Sequence, residues 1–268
     1  MAPKQEEKDD LALTFALMMR DKSKTPEWMQ LALDFEFIDD CAQKKMDQQT
    51  VFKHLIEGSS PNARSRREGE EGWTPLMYEA DRGYGSSLRI LFTYNPDPNL
   101  KSDAGETALM IACRKNNHEV FKELIIEFKL ANGTLDMNAL NNEGKSALLI
   151  AAELGHGECV NGLTNHGANP DLRDREGRTA LIISVQGKHA ACANSLMKNG
   201  ADVMLKDNAG KTALDYARET EQPQVVAALE IKRREYLDKM GDEIDNGGLE
   251  SSQQVKVAKP LAFKKGPK

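Results

Sequence analysis

The chain lacks the short motifs that announce the commoner enzyme chemistries. It has no Gly-rich phosphate loop of the Walker type, no His-Glu-x-x-His helix and no Gly-x-Ser-x-Gly elbow. Its five histidines are scattered rather than clustered with acids. A long apolar run is missing too. Leu11 to Met19 is apolar on most sides, but a membrane span needs about 20 such residues. A basic n-region is absent, because Glu6, Glu7, Asp9 and Asp10 precede that stretch, so no export signal is read and a cytoplasmic or nuclear location is expected. Positive charge is in deficit. With 36 Lys and Arg against 42 Asp and Glu, the net charge is −6, which gives solubility but no global attraction to nucleic acid. Cysteine is scarce, and its four positions (Cys41, Cys113, Cys159, Cys192) suit a reducing compartment.

What is present is a phrase repeated five times: Gly72-Trp-Thr-Pro-Leu76, Gly105-Glu-Thr-Ala-Leu109, Gly144-Lys-Ser-Ala-Leu148, Gly177-Arg-Thr-Ala-Leu181 and Gly210-Lys-Thr-Ala-Leu214. The glycines stand 33, 39, 33 and 33 residues apart. A fixed period of this length marks a stacked repeat architecture. One period, Asp174 to Asp207, shows how the unit forms. Asp174-Arg-Glu-Gly177 supplies turn residues, with Gly177 free to take positive φ. Thr179 is placed to cap a helix that opens with Ala180-Leu181-Ile182-Ile183. Lys188-His189 marks a break. Cys192, Ala193, Leu196 and Met197 then recur at helical spacing, and Gly200 closes the second helix. One such unit cannot bury both sides of its helices alone, whereas stacked units can.

These phrases, together with Gly155-His156, Gly167-Ala168-Asn169-Pro170, Asp207-Asn-Ala-Gly210, Gly58-Ser-Ser-Pro-Asn62 and Pro96-Asp97-Pro98-Asn99, closely resemble the ankyrin repeat family over roughly residues 69 to 232. The resemblance implies an all-α solenoid of stacked helix-turn-helix units with projecting β-turns, an irregular N-terminal helical cap and a disordered C-terminal tail. The expected organisation is a leader at 1–24 with a short apolar helix and a cap at 25–68. Repeats follow at 69–101, 102–140, 141–173 and 174–206, then a capping repeat with a long helix at 207–240 and a charged tail at 241–268.

Departures from the family pattern carry information. Glu79 takes a first-helix site where the family puts a small apolar residue, and Ser184 takes the matching site three units on. An unpaired buried carboxylate is costly, so Glu79 should either reach a cation from the N-terminal helices or push its unit outward. The second unit is six residues too long. Ile126 to Leu135 predicts an extended helix stopped at Asn132-Gly133 and a longer loop, either a binding feature or a tolerated surface insertion. In the cap, Thr25-Pro-Glu-Trp28 starts a helix whose apolar side reads Trp28, Leu31, Ala32 and Phe35, and Leu11 to Met19 is expected to pack on it. Met46 to Ile56 resembles the second helix of a degenerate unit. At the far end, Thr220 to Met240 predicts one long helix with Val225, Val226, Leu229, Ile231, Tyr236 and Leu237 as its apolar side. Beyond it, residues 241–250 carry four acids and residues 251–268 five lysines, a pattern of charge blocks that predicts disorder.

His156 with Cys159, and His189 with Cys192, stand one repeat apart and could in principle approach a metal. A His after the inter-helix break is ordinary wording for the family, and Cys serves as a small buried apolar residue, so no metal, cofactor or catalytic residue is assigned. Asp9-Asp10 and Asp39-Asp40 are read as a tail and a solvated helix face.

In the family the turns and the exposed side of each first helix form a concave binding surface. Carried over, this gives Glu70, Glu71, Trp73, Asp103, Glu106, Asn142, Glu143, Lys145, Arg175, Glu176, Arg178, Asn208 and Lys211 on the turns. The helices add Asp81, Arg82, Arg114, Lys115, Glu153, Leu154 and Gln186. Turn charge runs from acidic to mixed or basic along the array, which would steer a partner of opposite polarity into register. Trp73 is read two ways: an exposed hot spot acting with Arg114, Lys115 and Arg178, or a cover for the apolar edge of the cap. The expected function is a monomeric, non-enzymatic scaffold or adaptor that binds another protein, not a specific nucleic acid or a membrane. The alternative is a targeting subunit, because Lys259-Pro-Leu-Ala-Phe263 looks like a degenerate form of the motif that docks on protein phosphatase 1.

Overall fold

A computed structural model of the chain describes residues 27–43, 47–83, 87–130 and 135–246. Twelve helices lie among the described residues, and they alternate between two layers. The inner layer is α1 (Glu27–Ala42), α3 (Pro75–Arg82), α5 (Ala108–Lys115), α7 (Ala147–Leu154), α9 (Ala180–Gln186) and α11 (Ala213–Glu219). The outer layer is α2 (Gln48–Glu57), α4 (Leu88–Thr93), α6 (His118–Leu130), α8 (Gly157–Asn165), α10 (Ala190–Lys198) and α12 (Pro223–Asn246). Each helix packs on its predecessor and successor within its own layer as well as on its pair partner, so the repeats share one continuous core, with a second cluster at the cap beside it. The cap helices α1 and α2 pack on α3 and α4 in the same way and supply a sixth helical pair.

The inner helices α3, α5, α7, α9 and α11 each start at a hydroxyl residue. Thr107, Ser146, Thr179 and Thr212 accept a bond from the backbone N–H three residues on, at 3.3 to 3.4 Å. The turns before them share one construction. Asn141, Asp174 and Asp207 each accept two backbone N–H groups through one Oδ1, as in Glu176 and Arg178 to Asp174 at 3.0 and 2.8 Å. Neighbouring turns then bond tip to tip, with Asn142 N–H to the Ala104 carbonyl at 3.1 Å and Asn208 N–H to Glu176 at 3.0 Å. Gly105 sits where the backbone of the next turn comes closest. Its φ is +78°, and a Cβ there would lie 2.7 Å from the Asn142 nitrogen.

The outer loops are tied by a second ladder. Asn62, Asn99, Asn138 and Asp171 each accept the backbone N–H of the equivalent loop in the next unit, at Asp97, Asp136, Asn169 and Asp202, all at 2.8 to 2.9 Å. The long second unit shows its extra length partly in α6, which has 13 residues against nine in α8 and in α10. Residues 131–134, with the predicted Asn132-Gly133 stop, lie outside the described residues.

Several expectations need correction. The buried side of α1 is Phe37, Ile38 and Cys41, while Leu31 and Phe35 are 52% and 70% exposed. The helix turns that later face to α2 and α3, whose Val51, Leu55 and Tyr78 join the same cluster. Leu31, Phe35 and Ile38 instead line an open hollow of ≈750 Å³ facing Arg64 to Arg67. Trp28's surroundings and the leader at Leu11 to Met19 lie outside what is described. At the other end α12 begins at Pro223, because Thr220 caps α11, and it runs through Gly241 to Asn246 rather than stopping at Met240. Only Val225 and Leu229 of its predicted apolar side are fully buried. Ile231, Tyr236 and Leu237 are exposed, since the helix outruns the units it packs on. Residues 247–268, including Lys259 to Phe263, lie outside the described residues.

Ser184 and Glu79 resolve differently. Ser184 is fully buried and donates its hydroxyl to the Ala180 carbonyl at 2.7 Å, so it stays satisfied within its own helix. Glu79 is also fully buried, yet neither carboxylate oxygen has a hydrogen-bond partner. The cation beside it comes from its own helix rather than from the cap: Arg82 Nη1 stands 3.8 Å away. Burial raises the Glu79 carboxyl to about 7 against the pull of Arg82.

Candidate interaction surface

The side formed by the turns and the inner helices is built from polar side chains paired eight residues apart, three of the four pairs being ionic. The residue after each turn glycine faces the residue near the end of the same inner helix. Arg114 donates to Glu106 through Nη1 and Nη2. Lys145 donates to Glu153 at 2.7 Å, Arg178 to Gln186 at 3.4 Å, and Lys211 to Glu219 at 2.7 Å. Eight residues span the capping residue and two helical turns, so the pairing follows from the unit's geometry. The first unit departs from it. Trp73 replaces the turn charge, and Asp81 at its eighth position takes Lys115 of the next unit at 2.7 Å.

The predicted surface residues fall into three groups. Glu71, Asp103, Arg114, Lys115, Asn142, Glu143, Glu153, Leu154, Arg175, Glu176 and Asn208 are exposed, and Glu70, Asp81, Lys145, Arg178, Gln186 and Lys211 are half-buried. Glu106 is a correction: the Arg114 side chain folds over it, leaving 6% exposed, and its charge is neutralised. Arg82 is the second, for its side chain turns inward beside Glu79 and is 7% exposed. The first change weakens the predicted gradient of turn charge.

Trp73 is half-buried against both the cap cluster and the main core, with its ring 5.2 Å from that of Tyr78. Tyr78 in turn donates to Glu70 at 2.8 Å, and burial together with that acceptor raises its phenol. Glu70 and Trp73 therefore help hold the cap to the first unit.

Sequence reasoning missed Asp174 and Glu219 as members of this network. Asp174 takes Arg178 at 2.7 Å and is itself buried. For Glu219 the available signal was complementary residues at i and i+8 in successive units, whereas Asp174 pairs four residues on within its own turn. The hydrogen bond from Lys145 to Glu153 raises the lysine's pKa. Lys211 also lies 5.1 Å from the centre of the Tyr216 ring.

Between the second and third units the surface dips into an open hollow of ≈380 Å³. Ala104, Glu106 and Arg114 form one wall, and Glu143, Lys145, Ile150, Glu153 and Leu154 the other. Leu154 is exposed there, an apolar spot within a charged rim.

The His and Cys pairs are occupied elsewhere. His156 Nδ1 stands 2.8 Å from the Cys113 carbonyl and His189 Nε2 3.1 Å from that of Glu153. Asn117 and Gln222 bond carbonyls of Ala80 and Val185 from the equivalent positions, at 2.7 and 2.8 Å. These four residues tie the ends of α3, α5, α7 and α9 to the next unit. Burial raises the Cys113 and Cys192 thiols, which pack as small apolar groups. Among the described residues, no helix is long and apolar enough to cross a membrane.

This arrangement of two helical layers, stacked turns and a 33-residue period belongs to one class of repeat protein. The chain is a member of the ankyrin repeat family, whose three-copy pattern matches residues 39–134, 76–174, 126–207 and 166–236. The match begins inside α1, so the family pattern extends into the cap. Ankyrin repeat domain-containing protein 63 of Mus musculus is 32% identical over 110 residues, which cover 41% of this chain and 27% of that protein. Ankyrin repeat-containing protein P1E11.10 of Schizosaccharomyces pombe is 35% identical over 104 residues, 39% of this chain and 42% of that one. The E3 ubiquitin-protein ligase XBAT33 of Arabidopsis thaliana is 33% identical over 87 residues, 32% of this chain and 16% of the ligase. Less than half of each relative is therefore matched. Arrays of this family generally mediate protein–protein interaction.

Proposed function

We propose that this chain is a non-enzymatic scaffold or adaptor, acting in the cytoplasm or nucleus, whose partner protein lies along the turns and inner helices. The observation that carries this reading is the row of polar side chains paired eight residues apart. Each pair fixes a long side chain before a partner arrives, which lowers the ordering cost of association. The step between the second and third units is the proposed anchor. Its rim holds three acids (Glu106, Glu143, Glu153) against two bases (Arg114, Lys145), beside exposed Leu154. That chemistry favours an extended segment presenting a basic and an aliphatic side chain. Arg175, Arg178 and Lys211 continue the surface towards the C-terminal units.

The test is a quantitative pull-down with three baits: the whole chain, a chain with Leu154→Asp and Glu153→Lys, and a chain ending at Met240. Partners lost with the substitutions and kept by the truncated chain support the reading. Partners lost only on truncation move recruitment to the lysine-rich end and favour the targeting-subunit alternative. Trp73→Ala is a poor probe, because Trp73 also holds the cap.

A further inference from the structure

We propose that the cap pair, α1 and α2, is a pH-released clamp on the first unit: the protonated Glu79 side chain lets the pair close, and its ionisation opens the pair while the array behind it stays folded.

The seam between cap and first unit concentrates unmet polar groups. Among the described residues, the buried side-chain atoms without a hydrogen-bond partner are both Glu79 oxygens, Arg82 Nη2 and His54 Nδ1. All lie on α2 and α3. A buried carboxylate with no bonds is tolerated far better as the neutral acid than as the anion. Arg82 faces Glu79 from its own helix, with Nη1 at 3.8 Å. Cys41 faces it from α1, and burial pushes that thiol up, so it stays neutral. Charges on the other elements around α3 are engaged elsewhere. Lys115 of α5 takes Asp81 at 2.7 Å, Arg89 of α4 faces Glu123, and His118 of α6 faces Glu158. Asp40 and His54 stand 3.0 Å apart, and both belong to the cap, so their contact travels with it.

The cap can part at this seam without dragging the array open. Phe37, Ile38, Cys41, Val51 and Leu55 close on Tyr78 and Leu91 of the first unit as a cluster apart from the main core. Within the inner layer, α3 packs more extensively on α5 than on α1. Asn117 also donates to the Ala80 carbonyl at 2.7 Å, which ties α3 to the second unit along with Lys115. The polar ties across the cap seam are weaker. Asp39 with Arg67 and the Asp97 N–H with Asn62, both at 2.8 Å, are exposed and contribute little. A terminal unit has one neighbour rather than two, so it opens at lower cost than an internal one.

The sign follows from proton affinity. Closed, the Glu79 carboxyl lies at about 7; open, it meets water and returns towards 4.5. The closed state binds the proton more tightly, so closure is favoured at low pH and that preference is lost as pH rises to 7. Opening should become about 70-fold more frequent between pH 5 and pH 8. It uncovers Tyr78 and Leu91 on the first unit and Cys41 on the cap.

Cys41 is the reporter, because it is fully buried at this seam, while Cys113, Cys159 and Cys192 are fully buried within the array. The full chain is labelled with N-ethylmaleimide from pH 5 to pH 8, and peptide mass spectrometry reads each cysteine separately. Dividing each rate by that of the urea-unfolded chain at the same pH removes the thiol's own pH dependence. The Cys41 ratio should rise by about 70-fold while the other three stay flat. Glu79→Gln should hold the Cys41 ratio near its low-pH value throughout. Glu79→Ala, which restores the small residue of the internal seams, should also give a flat profile, whatever its baseline. A wild-type Cys41 ratio that is constant across pH overturns the proposal. So does an equal rise in either variant, or a rise shared by all four cysteines, which marks unfolding of the whole array.

Discussion

The seam between the cap and the first unit and the seams between later units use the same inner-layer position, and they fill it differently. Ala112, Ala151 and Ala217 occupy it in α5, α7 and α11, all fully buried, with Ser184 satisfied by its own helix in α9. In α3 the residue is Glu79, fully buried with both oxygens unbonded. The difference lies in the neighbour. The inner helices α5, α7, α9 and α11 each pack within their layer only on inner helices of other repeats, and a small side chain suits that approach. At α3 the neighbour is α1, whose Cys41 lies close enough to feel the charges of Glu79 and Arg82. The repeat period fixes the internal seams, and the cap seam departs from it at Trp73, Tyr78 and Glu79.

The sharpest way to break this comparison is to move the carboxylate inward. Ala151→Glu places it between α5 and α9 with no arginine three residues on, since Leu154 holds that position. We expect a loss of about 4 kcal/mol or more, read as a collapse of the urea midpoint.

The next largest effect is on pH dependence. The Glu79 carboxyl lies at about 7 when folded against an ordinary 4.5, so the folded state holds its proton more tightly. Stability should therefore fall as pH rises from about 4.5 to 7 and level off above, by about 3 kcal/mol in all. Glu79→Gln keeps the shape of the protonated acid. It should flatten that slope and leave the protein more stable than wild type at pH 8, as measured by urea unfolding across pH. An unchanged slope would mean that Glu79 is ionised throughout.

A smaller effect comes from the caps that the internal units share. Thr179→Ala removes the bond from the Ile182 N–H and should cost about 1 kcal/mol in urea unfolding.

Most of the internal array could be read before any coordinates, because one period contains its own reasons. The turn acid, the glycine, the capping hydroxyl and the apolar run of Asp174 to Ile183 each act within a few residues. Where the reading failed, the cause lay in contacts distant along the chain. Leu31 and Phe35 obey helical spacing as well as Phe37 and Ile38 do, and only the placement of α2 and α3 selects between the stripes. Ile231, Tyr236 and Leu237 have the right composition for a core, but the array ends before reaching them. Of the surface, the positions on turns and helices were legible, and their pairing was not. Glu106 looks like any exposed turn acid until Arg114 is seen folded over it.

The smallest predicted effect separates surface pairing from stability. Lys145 and Glu153 stand 2.7 Å apart with side chains 20% and 45% exposed, so water screens much of their attraction. A double-mutant cycle with Lys145→Ala and Glu153→Ala should give a coupling of roughly 0.2 to 1 kcal/mol in urea unfolding. The same pair flanks Leu154 in the hollow proposed as the anchor. If the pair exists to hold that surface ready, either single substitution should weaken partner binding by more than it weakens the fold. Equal losses in both would make the pair a structural strut of the third unit. The cap seam then supplies the control, for breaking the Glu79–Arg82 contact should change stability while leaving the distant anchor's affinity untouched.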